Sequence, residues 1–328
     1  MENLLTKKHE WEIVEREPNT IYVASISYGK DSLAMLEAIK KLGYPLDRII
    51  SIQVWATDTI PADLPEMYEW KAQADEIIYQ KYGIRVERIS AKVGGGGVLS
   101  YSELFYRELQ DGKFKGAIKG FPQTIGSWCK KLKYEYINLR KIILHGHTKG
   151  LAKSRQQGKP LFEYAQKQPF SKLPDCTTGD NINIVQYLGI ASDEPIRIER
   201  HINRKGIVLP LVDIDWQEDY CGLWCKYSGL LSPVYTNGTR DGCWFCHNQG
   251  VEQLRLLRKR HPKLWKILLK WDLDSPVPFK SDGHTVHDYD KRFEMEDRGT
   301  ISPNEPFRWK YLETPPQRQL SMFDLIGE

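Results

Sequence analysis

Apolar residues follow two different periods over the first ninety positions of the chain. Ile21-Tyr22-Val23-Ala24-Ser25-Ile26 is a near-continuous run of the kind a buried parallel strand carries. Leu33, Leu36, Ile39 and Leu42 then recur at helical spacing. Arg48 to Trp55 is a second β-like run, Leu64-Pro65-Glu66 opens a helical pattern reaching about Tyr82, and Arg85 to Ile89 is a third strand. The repeat is βαβα. It predicts an α/β fold built on a Rossmann-like, doubly wound and mostly parallel sheet, whose ligands sit outside the carboxyl ends of the strands. The loops after Ser25 and Val54 are therefore expected to face one crevice.

Between the first strand and the first helix stands Ser27-Tyr28-Gly29-Lys30-Asp31-Ser32. The first N–H groups of a helix have no intrahelical partner and carry the positive end of its dipole, so a phosphate can satisfy them. Ser27 and Ser32 add hydroxyl donors, Gly29 allows close backbone approach, and Lys30 adds a point charge. Asp31 is expected to cap the helix or orient a magnesium shell, because a bare carboxylate repels phosphate. The spacing is not the Walker A pattern, which needs a longer glycine loop ending in Lys and Ser or Thr. An ordinary strand-to-helix turn is the plain alternative.

Farther along, residues 101 to 168 are mostly helical in pattern and rich in Lys and Arg. Gly94 to Gly97 reads as a loop able to flex, and Asn183 to Ile190 returns to strand character. Regular periodicity fades beyond Asp272. The expected organisation is a nucleotide-binding domain with a helical insertion over 1–215, a Cys-rich segment plus basic helix over 216–275, and an irregular tail over 276–328. A chain of 328 residues with 41% hydrophobic content has ample material for such cores. Its charge of +4 is too small to prove nucleic-acid binding, so the distribution of charge must decide. No membrane-length apolar run is present, and residues 1–20 lack the apolar core of a secretion signal, so a cytoplasmic location is expected.

Four of the six cysteines, Cys221, Cys225, Cys243 and Cys246, fall within 26 residues. Soft thiolates at that density predict a metal centre, either tetrahedral Zn²⁺ or a [4Fe-4S] cluster; the spacing does not separate them. His247 and Cys129 are further candidate ligands. Trp128-Cys129-Lys130-Lys131-Leu132-Lys133 places a thiol beside three ammonium groups, which favours its thiolate. The segment Gly189 to Arg197 puts Asp193, Glu194 and Arg197 at a strand end, where a Mg²⁺ or phosphate contact is expected.

These pieces, in this order, resemble the PP-loop ATP pyrophosphatase superfamily, in its phosphoadenosine phosphosulfate reductase-like branch, which includes the ATP pyrophosphatases of DNA phosphorothioation. The resemblance spans about residues 20 to 250. It implies an adenine nucleotide α-hydrolase-like fold in which Ser27, Gly29, Lys30, Asp31 and Ser32 match the phosphate loop, with Tyr28 where a glycine is usual. It further matches Asp58 with Pro65-Glu66, Cys129 with Lys133, and Gly189, Glu194 and Arg197. Ala191 stands where that last element has an arginine, adjacent paired cysteines are missing, and residues 276–328 hold no cysteine. A sulfonucleotide reductase is accordingly the second choice, and a non-catalytic nucleotide-sensing, DNA-binding module the third. The first is an ATP pyrophosphatase that adenylates a substrate for sulfur transfer or related nucleic-acid modification. There Lys30 and Arg197 neutralise charge, and Asp31 or Glu194 holds Mg²⁺.

Two segments bear on partners. Residues 254–271 read as one helix carrying Arg255, Arg258, Lys259, Arg260, Lys263, Lys266 and Lys270 among leucines. DNA or RNA can lie along it; a solvated basic face over a packed apolar one is the other reading. Gln319-Leu320-Ser321-Met322-Phe323 resembles the short peptide by which bacterial DNA-processing proteins dock on the replication sliding clamp, and a sulfur-donor protein is a further possible partner.

Overall fold

The computed structural model describes residues 16–17, 20–91, 97–110, 115–122, 129, 183–236, 242–306 and 308–313. Most of 101–168, Gly94 to Gly96, Lys133 and the 319–323 peptide lie outside them. The chain forms two compact units, Met1–Glu103 with Cys129–Cys243, and Leu104–Trp128 with Trp244–Glu328.

Thr20–Ile26 (β1), Arg48–Ile52 (β2), Val86–Ile89 (β3), Asn183–Leu188 (β4) and Ile207–Val208 (β5) make one sheet in the order β3-β2-β1-β4-β5, every pairing parallel. Parallel strands covered on both faces need apolar side chains on both, and β1 buries all but Ser25. The chain winds one way from β1 through β2 to β3 and the other way from β4 to β5. The strand order therefore reverses between β1 and β4, where a doubly wound sheet opens a crevice. Their register pairs Ser25 with Leu188, and Gln186 Nε2 donates to Ser25 Oγ at 2.7 Å. The loop at 27 and the turn at 189 consequently leave the sheet side by side. The two-residue β5 is too short for its pattern to register in the sequence.

Lys30–Lys41 (α1) and Pro65–Tyr82 (α2) follow the predicted helices, α2 ending at Gly83 in the left-handed region (φ 71°). Tyr101–Phe105 (α3), Pro195–Glu199 (α4), Pro210–Asp213 (α5), Glu218–Tyr227 (α6) and Pro233–Thr236 (α7) come next. Both α5 and α6 pack on α1, which explains why α1 buries Ser32, Leu33, Ala34, Met35, Leu36, Ala38 and Ile39.

In the second unit the expected 254–271 helix is two helices, Val251–Arg260 (α8) and Pro262–Asp274 (α9). Pro262 has no N–H to donate and is well placed only at the start of a helix, so the chain breaks at His261. Where irregular chain is expected, Val286–Asp297 (α10) is helical, started by a capping box in which Thr285 Oγ1 accepts from Asp288 N–H and Asp288 accepts from Thr285 N–H. Phe105, Phe121, Trp244, Phe245, Trp271 and Phe279 form the aromatic core, with Trp244 stacked on Trp271 at 5.6 Å. Among the described residues no helix is long and apolar enough to cross a membrane.

Candidate functional site

The turn from β1 into α1 is built around Tyr28, which takes φ 64°, a left-handed conformation that costs an L residue roughly 1–2 kcal/mol. Its ring is turned into the protein and is 1% exposed. There its hydroxyl donates to Asp75 Oδ1 at 2.5 Å and accepts from Arg88 Nε at 3.1 Å, while Arg88 also pairs with Asp75 Oδ2. Lys71 Nζ lies 4.8 Å from the ring centroid and Trp70 meets it edge-on. Burial, and then the Asp75 carboxylate, push the phenol far above its ordinary range, so it stays protonated. With the ring committed to α2 and β3, the side chain does not occupy the mouth of the loop.

Inside the turn, Ser32 Oγ donates to the Gly29 carbonyl at 2.8 Å and accepts from Ser27 N–H at 3.2 Å. Gly29 is the N-cap of α1 in an ordinary extended conformation and offers no side-chain cap. Gly189 supplies the other wall. A Cβ on it would lie 2.6 Å from Ser32 Cα and 2.8 Å from Ser32 N and the Asp31 carbonyl oxygen, so only glycine admits this approach.

Lys30 and Asp31 carry the charge of the site. Lys30 Nζ pairs with Glu218 Oε1 at 2.9 Å, donates to the Glu218 carbonyl at 3.2 Å and lies 4.0 Å from Asp31 Oδ1. Burial pulls the ammonium's pKa down, but the Glu218 hydrogen bond and the Asp31 charge outweigh it and leave it raised. Asp31 caps nothing: its Oδ1 is buried without a hydrogen-bond partner. Burial raises its carboxyl to about 6, with Lys30 opposing and Glu218 and Glu194 reinforcing. Glu194 accepts from the Ala191 N–H and is clasped by Arg197 at 2.5 Å and 2.8 Å. Asp31, Glu194, Arg197 and Gly189 are thus brought to the loop. Asp58 is exposed in the loop after β2, where Thr59 Oγ1 reaches its Oδ1 at 3.5 Å.

The cysteines divide between the units, Cys221, Cys225 and Cys243 in the first and Cys246 in the second. Cys221 and Cys225 face α1 from α6, fully buried, and Cys225 donates its S–H to the Lys30 carbonyl at 3.3 Å. Burial pushes both thiols up to about 12, helped at Cys221 by Asp31 and at Cys225 by Cys221. Among the described residues no group of three or more His, Cys, Asp or Glu is placed to hold a metal ion. In the second unit Lys280 Nζ donates to the His247 carbonyl at 2.6 Å and to that of Gln249, pinning the chain after Cys246.

On α8, Arg255 pairs with Glu296 and Glu252, and Arg258 with Asp290 and Asp297. Both guanidiniums therefore fasten α8 within its own unit.

Sequence reasoning did not find Asp75, Arg88, Glu218 or Tyr235, whose hydroxyl lies 3.4 Å from Lys30 N. Their partners are 13 to 205 positions distant, and no local spacing signals them. No protein-family model matches the chain, and no curated protein matches it.

Proposed function

We propose that the chain is a PP-loop ATP pyrophosphatase, which adenylates an acceptor and so primes it for sulfur transfer or a related modification of nucleic acid. The observation that carries this reading is the meeting of the 27–32 turn with Gly189 at the place where the strand order reverses, with Lys30 and Asp31, whose buried Oδ1 accepts no hydrogen bond, at its mouth. The N–H groups opening α1, of which that of Lys30 now reaches Tyr235 Oη at 3.4 Å, and the hydroxyls of Ser27 and Ser32 suit a phosphate chain. Asp31 Oδ1, buried and lacking a donor, suits a cation, and bound Mg²⁺ would supply neutralisation of phosphate charge.

In the reaction proposed, an acceptor oxygen attacks the α-phosphorus. The new O–P bond forms as the bond between the α-phosphorus and the bridging oxygen breaks, pyrophosphate leaves with that oxygen, and the acceptor's proton passes to solvent water. Lys30 and Arg197 stabilise the charge developing on phosphate oxygens, and Glu194 holds Arg197 in place. Glu218, now paired with Lys30, stands in for the incoming phosphate and must give way. The adenine nucleotide α-hydrolase-like assignment and a Zn²⁺ or [4Fe-4S] centre belong to the same reading. The thiols of Cys221 and Cys225 pack on α1 from α6, and the chemistry proposed passes through no cysteine.

The test is product analysis of ATP incubated with Mg²⁺ and candidate nucleic acids. AMP-linked product and pyrophosphate are expected from the wild type and at least a hundredfold less from Lys30→Ala, a loss of about 3 kcal/mol in barrier terms. Full activity in that variant would remove the loop from the mechanism.

A further inference from the structure

We propose that the turn following α4 is a docking surface for the phosphate backbone of a nucleic acid, and that Arg200 and Arg204 are its principal contacts. This deepens the reading above by placing the acceptor beside the loop.

Residues 195–206 carry Arg197, Arg200, Arg204 and Lys205 against a single carboxylate, Glu199, and all of these side chains are exposed. Arg197 is clasped by Glu194, but among the described residues Arg200, Arg204 and Lys205 have no carboxylate partner. That contrasts with α8, where Arg255 and Arg258 are already paired. The cations also converge. Successive turns, in which His201 N–H reaches the Ile198 carbonyl and Arg204 N–H the His201 carbonyl, fold the segment back on itself. His201 sits in their midst with its Nδ1 buried and lacking a partner. Burial first, and then Arg204, Arg197 and Arg200 together, hold that imidazole below its ordinary range. Ile196 and Ile202 are 66% and 56% exposed, giving apolar surface beside the charges.

Like charges left unpaired and gathered on one surface suit a partner that is itself a line of negative charge, which a nucleic-acid backbone is. The position of the surface fits that partner. Arg197 is clasped by Glu194, which accepts from the Ala191 N–H two residues beyond the Gly189 wall of the loop, so the basic turn begins beside the candidate site and leads away from it. A strand lying along Arg204 and Arg200 would deliver a base or sugar toward Arg197 and Asp31.

The test is fluorescence anisotropy of labelled single- and double-stranded DNA and RNA oligonucleotides with the full chain, over a salt series and without nucleotide. Omitting ATP keeps the outcome independent of whether the 27–32 loop binds it. The wild type should bind at least one oligonucleotide, and Arg200→Ala/Arg204→Ala should bind it about tenfold or more weakly, with the slope of log affinity against log salt reduced by about two. Arg200→Lys/Arg204→Lys should retain most of the affinity, showing that charge and not fold was removed, and Lys263→Ala/Lys266→Ala on α9 should match the wild type. The proposal is overturned if the wild type binds none of the oligonucleotides, if the alanine pair binds as the wild type does, if the lysine pair loses as much as the alanine pair, or if the loss follows Lys263 and Lys266 instead.

Discussion

Tyr28 Oη lies 2.5 Å from Asp75 Oδ1, and this hydrogen bond ties the only left-handed residue of the 27–32 turn to the middle of α2. A strained backbone persists only where its surroundings over-determine it, and here a phenol, a carboxylate and a guanidinium do so together. Tyr28→Phe keeps the ring packing and the Asp75–Arg88 pair but loses the hydroxyl, so it should lower stability by about 1–2 kcal/mol. Tyr28→Gly relieves roughly 1–2 kcal/mol of backbone strain but forfeits a buried ring whose deletion costs about 3–5 kcal/mol. Urea midpoints should therefore rank wild type above Phe and Phe above Gly. A glycine variant as stable as the wild type would mean that strain outweighs the network.

Two glycines near the loop should respond in opposite directions to the same substitution. Gly189→Ala drives a Cβ to within 2.6 Å of backbone at Ser32, which has no flexible end to swing aside. Stability should fall by about 1–3 kcal/mol and nucleotide affinity with it. Gly222→Ala in α6 meets only Lys30 Cδ, at an ordinary 3.7 Å, and replaces a poor helix former by the best one. It should stabilise by about 0.5–1 kcal/mol. Paired thermal melts of the two variants check both.

Asp31 carries a pH signature. Burial raises its folded carboxyl from the ordinary 3.8 to about 6, so between about pH 4 and pH 6 the unfolded chain has released this proton and the folded one has not. Stability then falls as pH rises through that window, because the folded state binds more protons than the unfolded. Asp31→Asn should abolish this part of the decline, leaving urea midpoints flatter between pH 4 and pH 6. An identical pH profile in wild type and variant would place the carboxyl at its ordinary value.

Glu218 competes for Lys30. The pair is half open to solvent on the Glu218 side, so it is worth no more than about 1 kcal/mol. Glu218→Gln should therefore tighten ATP binding by up to about fivefold in isothermal titration. Weaker binding would show that Glu218 serves the nucleotide instead of excluding it.

The elements around the candidate site are legible in the amino-acid order alone, because strand, helix and turn signals are local. The apolar run at 21–26, the helical spacing from Leu33 and the Pro65 start of α2 correspond to β1, α1 and α2. Two further signals are equally local: Pro262 as a break and Thr285-x-x-Asp288 as a cap. What those elements bring together emerges only in the folded chain. Whether Tyr28 fills the loop or leaves it depends on Asp75 and Arg88, 47 and 60 residues away, and Glu218 reaches Lys30 across 188. The side of the turn on which Gly189 lies follows from the β1–β4 register. Periodicity reports which side chains seek burial, but pairing across the fold is set by the sheet's strand order, which no local pattern encodes.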